Sequence, residues 1–354
     1  MSCRQYGVMS ELMQKIERAT SSTFFDQTGR NEGSGRCCKI MRILLEGTCS
    51  FDCAYCGVCT KKNGISFTPQ ELARGFLSLH NEGRVGGLLL STGIPRGDVD
   101  LGMEKLIETA RLIRSSGYRG YLHLKVLPGA ARSDITELAK YATRLSINLE
   151  APSASYLSEL ATVKNYRSDL LTRHQWLAEI MPNRHSTQFV VGAAGETDRD
   201  IFETVADSYE KYHPARVYYS AFYAISDTPL ETHENTPVWR ANRWYQLDAL
   251  LRLYGYSCRE LAPAFDEDGM LLNTDPKILL AQNLPLINPD TADKAELLRV
   301  PGIGAVSAEA IVQTRKVQSV RDTSVLRCCG VVLQRALPYL SLGKTRQTKL
   351  SSWC

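Results

Sequence analysis

Gly47-Thr48-Cys49-Ser50-Phe51-Asp52-Cys53-Ala54-Tyr55-Cys56 is the stretch on which the reading of the chain turns. It follows an apolar run, Ile40–Leu45, in which Arg42 is the only charge, and such a run reads as a buried strand. Three cysteines spaced C-x3-C-x2-C just past a strand end can wrap one face of a cubane, because thiolates are the soft ligands that iron–sulfur clusters take. Three ligands on a four-iron body leave one iron open to a chelating molecule. A structural zinc site and plain buried thiols are the competing readings. Zinc sites come as two C-x2-C pairs, or as one such pair with two histidines. Cys53, Cys56 and Cys59 do stand at two-residue gaps, but no second half-site follows them. The expected metal ligands are Cys49, Cys53 and Cys56, with Cys59 a competitor of Cys56.

Around this loop the chain repeats a strand-then-helix rhythm. Thr68-Pro69-Gln70-Glu71 is a helix start, with Thr68 as N-cap, Pro69 in the first position and Glu71 closing a capping box. Further strands are expected over 86–91, 121–127, 145–149, 186–191 and 216–222. Helices are expected over 102–116, 133–143 (capped by Ser133), 155–181 and 198–212. Strands and helices alternating at this spacing pair in parallel through right-handed crossovers. Six units make an α/β fold, an open partial (β/α)6 barrel over residues 37–258 rather than a closed eightfold one. The cysteine loop then lies at the C-terminal mouth, after the first strand. On the third strand His123 and Lys125 alternate to one face. Both can reach the interior as substrate anchors or proton donors, and a lysine there is costly unless paired or used. Tyr219 on the sixth strand either quenches a radical or packs.

Ahead of the barrel, residues 1–36 hold a short amphipathic helix, 10–19, and a polar loop. Behind it, 231–254 carries Trp239, Trp244, Leu247 and Leu251 at helical spacing, a core face by its period or a surface for stacking a base. Residues 259–287 are turn-rich and read as a linker and docking segment. The character changes again over 288–345. Helices are expected over 291–299 and 305–315, joined by Pro301-Gly302-Ile303-Gly304 and spaced to pack through Leu297, Val300, Ile303, Ala308 and Ile311. This looks like a helix-hairpin-helix. Its glycines permit a tight turn, and free N–H groups at Gly302, Ile303 and Gly304 leading into the second helix offer a phosphate site. Asp290, Asp293, Glu296 and Glu309 cancel Lys294, Arg299, Arg315 and Lys316, however, and phosphate affinity rests largely on basic residues. The hairpin is either a phosphate grip or a structural remnant. From Val317 to Cys354 six basic residues stand against Asp322 alone, a cationic surface for phosphate or a merely solvated one, and residues 346–354 form the basic tail at its end.

The 354 residues include eleven cysteines, an odd number, and carry a net charge of +4, too small to argue for nucleic acid by itself. No apolar run reaches membrane-spanning length, so no membrane partner is expected. Met1–Ser10 lacks a charged-then-apolar signal, which makes a cytoplasmic location the expectation. Metal ligation and free thiols then fit the cysteines better than disulfides. Cys37, Cys38, Cys59, Cys258, Cys328, Cys329 and Cys354 are left as free thiols or ligands of an auxiliary cluster.

The cysteine spacing, with aromatic Tyr55 just before the third cysteine, resembles the signature of the radical S-adenosylmethionine (SAM) superfamily. With the C-terminal hairpin, the chain is similar to a bacterial group of radical SAM proteins assigned to DNA modification or repair. The resemblance covers most of residues 37–340, through Leu90–Ile94, His123–Ala130, Ile147–Glu150, Phe189–Asp198 and Arg216–Phe222. It implies a 4Fe-4S cluster on Cys49, Cys53 and Cys56, with its open iron binding the amino and carboxylate groups of SAM. It also implies reductive cleavage to a 5′-deoxyadenosyl radical, hydrogen abstraction from a substrate, and a one-electron reductant of flavodoxin or ferredoxin type. By barrel position, Tyr55 would flank the cofactor and Ser91, Thr92 and Gly93 would hold the SAM amino group, as Ser-Thr-Gly in place of the more usual Gly-Gly-Glu. Asn148 and Glu150 would hold the ribose, and the backbone of Val191 and Gly192 would flank the adenine. A nucleic acid, suggested by hairpin and tail, and a small metabolite, suggested by the neutral hairpin, are the two substrate classes. A cluster-bearing DNA-binding sensor is the non-enzymatic alternative.

Overall fold

A computed structural model describes residues 3–20, 39–60 and 63–342. Two compact units divide the chain: Met1–Glu196 with Asp200–Thr236, and Thr197–Arg199 with Pro237–Cys354. The first unit alternates strands and helices in the expected rhythm. In order these are α1 (Cys3–Thr20), β1 (Ile40–Leu44), α2 (Pro69–Asn81), β2 (Gly87–Ser91), α3 (Val99–Ser115), β3 (Tyr121–Lys125), α4 (Arg132–Ala139) and β4 (Arg144–Ser146). Then follow α5 (Ala154–Leu160), α6 (Thr172–Ile180), β5 (His185–Val191), α7 (Asp198–Tyr212) and β6 (Arg216–Ala221). The sheet order is β1-β2-β3-β4-β5-β6 and every neighbouring pair is parallel. This is the curled, open six-stranded half-barrel that the sequence pattern implies. Met41, Leu88, Leu90, Leu122, Leu124 and Val217 are buried on one face of the sheet. Arg42, Leu89, Lys125, Gln188, Val190 and Ser220, of opposite parity, face the other way into a cavity.

Local signals account for most helix starts. Thr68 and Glu71 form the full capping box of α2, and the Asp98 carboxylate caps α3 through Leu101 N–H. Three expectations fail. Ser133 does not cap α4; Ala131 holds that place with no side-chain bond, and the helix begins at Arg132. The single helix expected over 155–181 is broken. α5 ends at Leu160, the Asn165 side chain caps a new start by accepting from Ser168 N–H (2.9 Å), and a π-helical turn over Tyr166–Leu171 leads into α6. β4 ends at Ser146, short of the expected 149, and the chain rejoins β5 at Glu150 in left-handed backbone.

The second unit contains α8 (Val238–Tyr254), α9 (Cys258–Leu261), α10 (Pro276–Leu280), α11 (Lys294–Arg299), α12 (Ala305–Thr314), α13 (Thr323–Cys328) and α14 (Leu333–Ala336). It takes in α8 together with Thr197–Arg199, and buried Asp198 ties the two. The carboxylate accepts from Trp244 Nε1 (2.7 Å), Arg240 Nε (2.9 Å) and Leu271 N–H (2.8 Å). α11, the turn at 300–304 and α12 pack through Leu297, Val300, Ile303, Ala308 and Ile311. A second pair, α13 and α14, turns at Gly330 and leans on the first. Val332 N–H donates to Gly302 O (2.9 Å), and Ser307 Oγ donates to Gly330 O (2.8 Å). Both turn glycines have positive φ, +85° and +78°, the region that a side chain disfavours. Cys37, Cys38, Cys354, most of the N-terminal loop and the basic tail lie outside the described residues.

Candidate active site

The cysteine loop is fixed mainly by its other residues. Ser50 N–H donates to Ile94 O (3.0 Å), Gly93 N–H to Glu46 O (2.9 Å) and Ala54 N–H to Leu160 O (2.7 Å). Gly93 lies so near the loop that a Cβ there would overlap Thr48 O. Asp52 accepts from Thr162 N–H (3.1 Å), Val163 N–H (3.4 Å) and the Thr162 hydroxyl. Partial burial disfavours the charged carboxylate, but these bonds outweigh it and hold its pKa below the usual range.

So braced, Cys49, Cys53 and Cys56 line one cavity of about 820 Å³, within the roughly 300–1,000 Å³ span of small-molecule sites. Among the described residues no three His, Cys, Asp or Glu side chains close on one point as ligands of a single ion. A cubane does not ask for that, since each thiolate takes a separate corner iron. The donor set fits such a group. Ile94 N–H donates to Cys49 Sγ (3.4 Å), and Lys164 acts on Cys53 strongly enough to offset part of the burial that pushes this thiol up. Hydrogen bonds and charges at the sulfurs are how a protein tunes a cluster. Cys59 does not line the cavity. Its Sγ donates back to Cys56 O (2.8 Å) and Cys53 O (3.2 Å), and burial together with the neighbouring thiols pushes it up to about 11.

Lys164 is the functional candidate that the sequence did not reveal. It sits in the irregular segment after α5, where the sequence pattern reads as helix and no motif marks it. Its ammonium is 3.7 Å from Glu150 and donates to Tyr55 Oη (3.3 Å). Burial works against that charge, but Glu150 and Cys53 outweigh it and raise the pKa above the ordinary lysine value. Tyr55 is pushed well above its usual value, first by burial and then by Glu150. Glu150, with φ of +67°, also receives Asn148 Nδ2 (3.5 Å). Left-handed backbone at a non-glycine residue stores strain of the kind that clusters at functional sites.

Tyr55, Ser91, Thr92, Gly93, Lys125, Asn148 and Glu150 all line the cavity with the three thiols. His123 does not. It is buried beneath, with Nε2 paired to Ser146 Oγ (2.8 Å), and burial plus Arg144, Lys125 and Arg42 holds its pKa well below the usual value. Burial likewise lowers Lys125, with Arg42 and Lys164 adding to the effect and Glu150 opposing it. Val191, Gly192 and Tyr219 do not line the cavity either; Val190 and Ser220, one residue away, do. The Gly192 N–H is taken by the Glu196 carboxylate, which also receives Ala194 N–H (3.0 Å). Gly302, Ile303 and Gly304 belong to the other unit, where Ile303 O accepts from the buried Lys277 ammonium (2.5 Å).

Residues 45–207 match the family model described as the radical SAM superfamily. This stretch, a little under half of the chain, is similar to that superfamily. Members of the superfamily are enzymes that use radical chemistry. Among solved structures, HydG, a maturase of the FeFe-hydrogenase, superposes with a TM-score of 0.51 at 11% identity, covering 69% of this chain and 61% of that one. Methylornithine synthase (PylB) gives 0.45 at 13%, covering 64% and 62%. HydG from Carboxydothermus hydrogenoformans gives 0.48 at 13%, covering 65% and 52%. The chain thus spans about three fifths of the first structures it matches, and at 11% identity the likeness to HydG is one of fold. A search of curated proteins finds no match. Among the described residues no helix is long and apolar enough to cross a membrane.

Proposed function

We propose that the protein cleaves SAM reductively at a 4Fe-4S cluster held by Cys49, Cys53 and Cys56, and abstracts hydrogen from a small substrate in the barrel cavity. The observation that carries this reading is one cavity at the strand C-termini, lined together by those thiols, Ser91–Gly93, Asn148 and Glu150. A reduced cluster with SAM bound supplies the 5′-deoxyadenosyl radical, and a one-electron reductant of flavodoxin or ferredoxin type is the partner that such enzymes need. The protein's own part is to hold and to exclude. Lys164 and Asn148 orient the Glu150 carboxylate, which would accept the ribose hydroxyls. Leu44, Leu89 and Phe222 on the wall keep water from the reacting atoms.

The small-substrate reading draws support from the hairpin, whose cations are already engaged. Lys294 pairs with Glu309 (2.7 Å) and Arg299 with Glu260 (2.6 Å), while Val306 at the start of α12 is 84% exposed. A nucleic-acid substrate is the second reading. It is supported by Gly304, which caps α12 with no side-chain acceptor and so leaves the leading N–H groups open to a phosphate. Anaerobic reconstitution followed by SAM and dithionite should yield 5′-deoxyadenosine, and Cys53→Ala should abolish both iron binding and product. Iron bound without product would leave the sensor reading standing. Retention on DNA that weakens as salt rises would move the substrate assignment to nucleic acid.

A further inference from the structure

We infer that Lys164 is a positioning residue that sets the electron affinity of the group held by Cys49, Cys53 and Cys56. Its buried ammonium, clamped between Tyr55 and Glu150 on the wall where the thiols stand, makes the reduced state easier to reach. The inference deepens the reading proposed above and rests on it for the identity of that group.

The Lys164 side chain is 6% exposed, and its ammonium has fixed neighbours. It donates to Tyr55 Oη (3.3 Å), lies 5.8 Å from the centre of the Tyr55 ring, and stands 3.7 Å from the Glu150 carboxylate. Tyr55 comes between Cys53 and Cys56 in the chain, and all these side chains line one cavity with the three thiols. Glu150 is pinned in turn to β5, where its N–H donates to Gln188 O (3.0 Å) and its carbonyl accepts from Val190 N–H (2.8 Å).

The backbone that carries Lys164 is tied to the cysteine loop on both sides of Cys53. Asp52 accepts from Thr162 N–H (3.1 Å) and Val163 N–H (3.4 Å), and Ala54 N–H donates to Leu160 O (2.7 Å). Lys164 N–H then closes a turn on Ala161 O (3.4 Å). One lysine is thereby delivered to one ligand of the three.

A buried ion pair is by itself weak evidence of stability, and this one is loose. At 3.7 Å the contact with Glu150 is longer than a hydrogen bond, so the carboxylate does not take up the ammonium's three donors. Of the two charges, Lys164 acts on Cys53 more strongly than Glu150 opposes it. Reduction adds negative charge at the sulfurs. A cation in a cavity of low dielectric stabilises that charge far more than one in water does, and such charges and hydrogen bonds are what set iron–sulfur potentials.

The test is a potentiometric titration of the full chain, reconstituted anaerobically without SAM and followed by electron paramagnetic resonance. Glu150→Gln and the double variant Glu150→Gln with Lys164→Met are compared, so that no carboxylate is left stranded. Removing the ammonium should lower the reduced-to-oxidised ratio at a fixed potential by about tenfold, equivalent to about 59 mV for one electron. Lys164→Met alone should shift it in the same direction, and Lys164→Arg should keep the parent value. Glu150→Gln alone should shift it the opposite way. A midpoint that is the same with and without Lys164 in the Glu150→Gln background overturns the inference and leaves Lys164 a structural ion pair. Where the Met variants do not load iron, Glu150→Gln decides: a raised midpoint supports the inference, and an unchanged or lowered one overturns it. The parent separates the two claims. A parent with no reducible four-iron signal removes the radical reading, whereas a signal whose midpoint ignores Lys164 removes this inference alone.

Discussion

Asp52, in the middle of the cysteine loop, accepts the backbone N–H groups of Thr162 (3.1 Å) and Val163 (3.4 Å), more than a hundred residues further along the chain. The pairing braces the loop and delivers Lys164 to Cys53, Tyr55 and Glu150. Asp52→Ala should therefore cost little global stability, about 1 kcal/mol because the carboxylate is exposed, yet sharply reduce iron retained after desalting. Asp52→Asn, which keeps one acceptor oxygen, should fall between. Urea denaturation and iron content measure the two effects separately. Full iron retention in Asp52→Ala would show that the brace is dispensable.

Gly93 has a steric duty distinct from cofactor contact. A Cβ there would overlap Thr48 O and press on Glu46 O, so the cysteine loop has to move or the β2 end has to yield. Gly93→Ala is expected to destabilise the barrel by about 1–3 kcal/mol, the range for overpacking, even without SAM or iron. Chemical denaturation of the apo protein checks this. A variant as stable as the parent would leave only the cofactor-side role.

The sequence disclosed what local chemistry writes and hid what distant segments impose. The C-x3-C-x2-C spacing and the Thr68–Glu71 capping box act over a few residues, and both were visible at once. The break between α5 and α6 was not, because helical pattern continues across 155–181 while Asp52 and the Asn165 cap take the backbone of 162–168. Lys164 was hidden for the same reason. At β6 a single residue decides which face a side chain takes: Ser220 lines the cavity, and Tyr219, buried, does not. The second unit's reach back to Asp198 rests on buried partners at 240, 244 and 271, a relation that no periodicity records.

That Asp198 site should be the most sensitive polar position in the second unit. The carboxylate is 1% exposed and neutralises Arg240 while accepting Trp244 Nε1 and Leu271 N–H. Removing one partner of a buried pair costs about 3–5 kcal/mol because the other charge is stranded. Asp198→Ala should lose that much. Trp244→Phe, which deletes one donor and leaves the ion pair, should lose about 1–3 kcal/mol. Denaturant midpoints and Trp fluorescence order the two variants, and an equal cost for both would contradict the ion pair's primacy.

His174 on α6 and His185 on β5 give the fold an acid-labile point. Their rings are 5.2 Å apart, the Tyr212 ring is 4.9 Å from His174, and neither His174 nitrogen has a hydrogen-bond partner among the described residues. Burial holds His174 at about 3, with His185 adding to the effect. Burial also holds His185 at about 4, with Arg144 and His213 adding and the Met181 carbonyl opposing. Unfolded, each returns to about 6.5, so at mildly acidic pH the unfolded chain binds protons that the fold refuses. Stability is full above about pH 6.5 and falls as pH drops toward the folded values, with a slope approaching 1.4 kcal/mol per pH unit for each histidine. His174→Phe keeps the ring volume and removes one such proton, so its stability should fall less steeply between pH 6 and pH 4. Urea denaturation across that range gives the two slopes, and parallel curves for parent and variant would show that His174 already binds its proton in the fold.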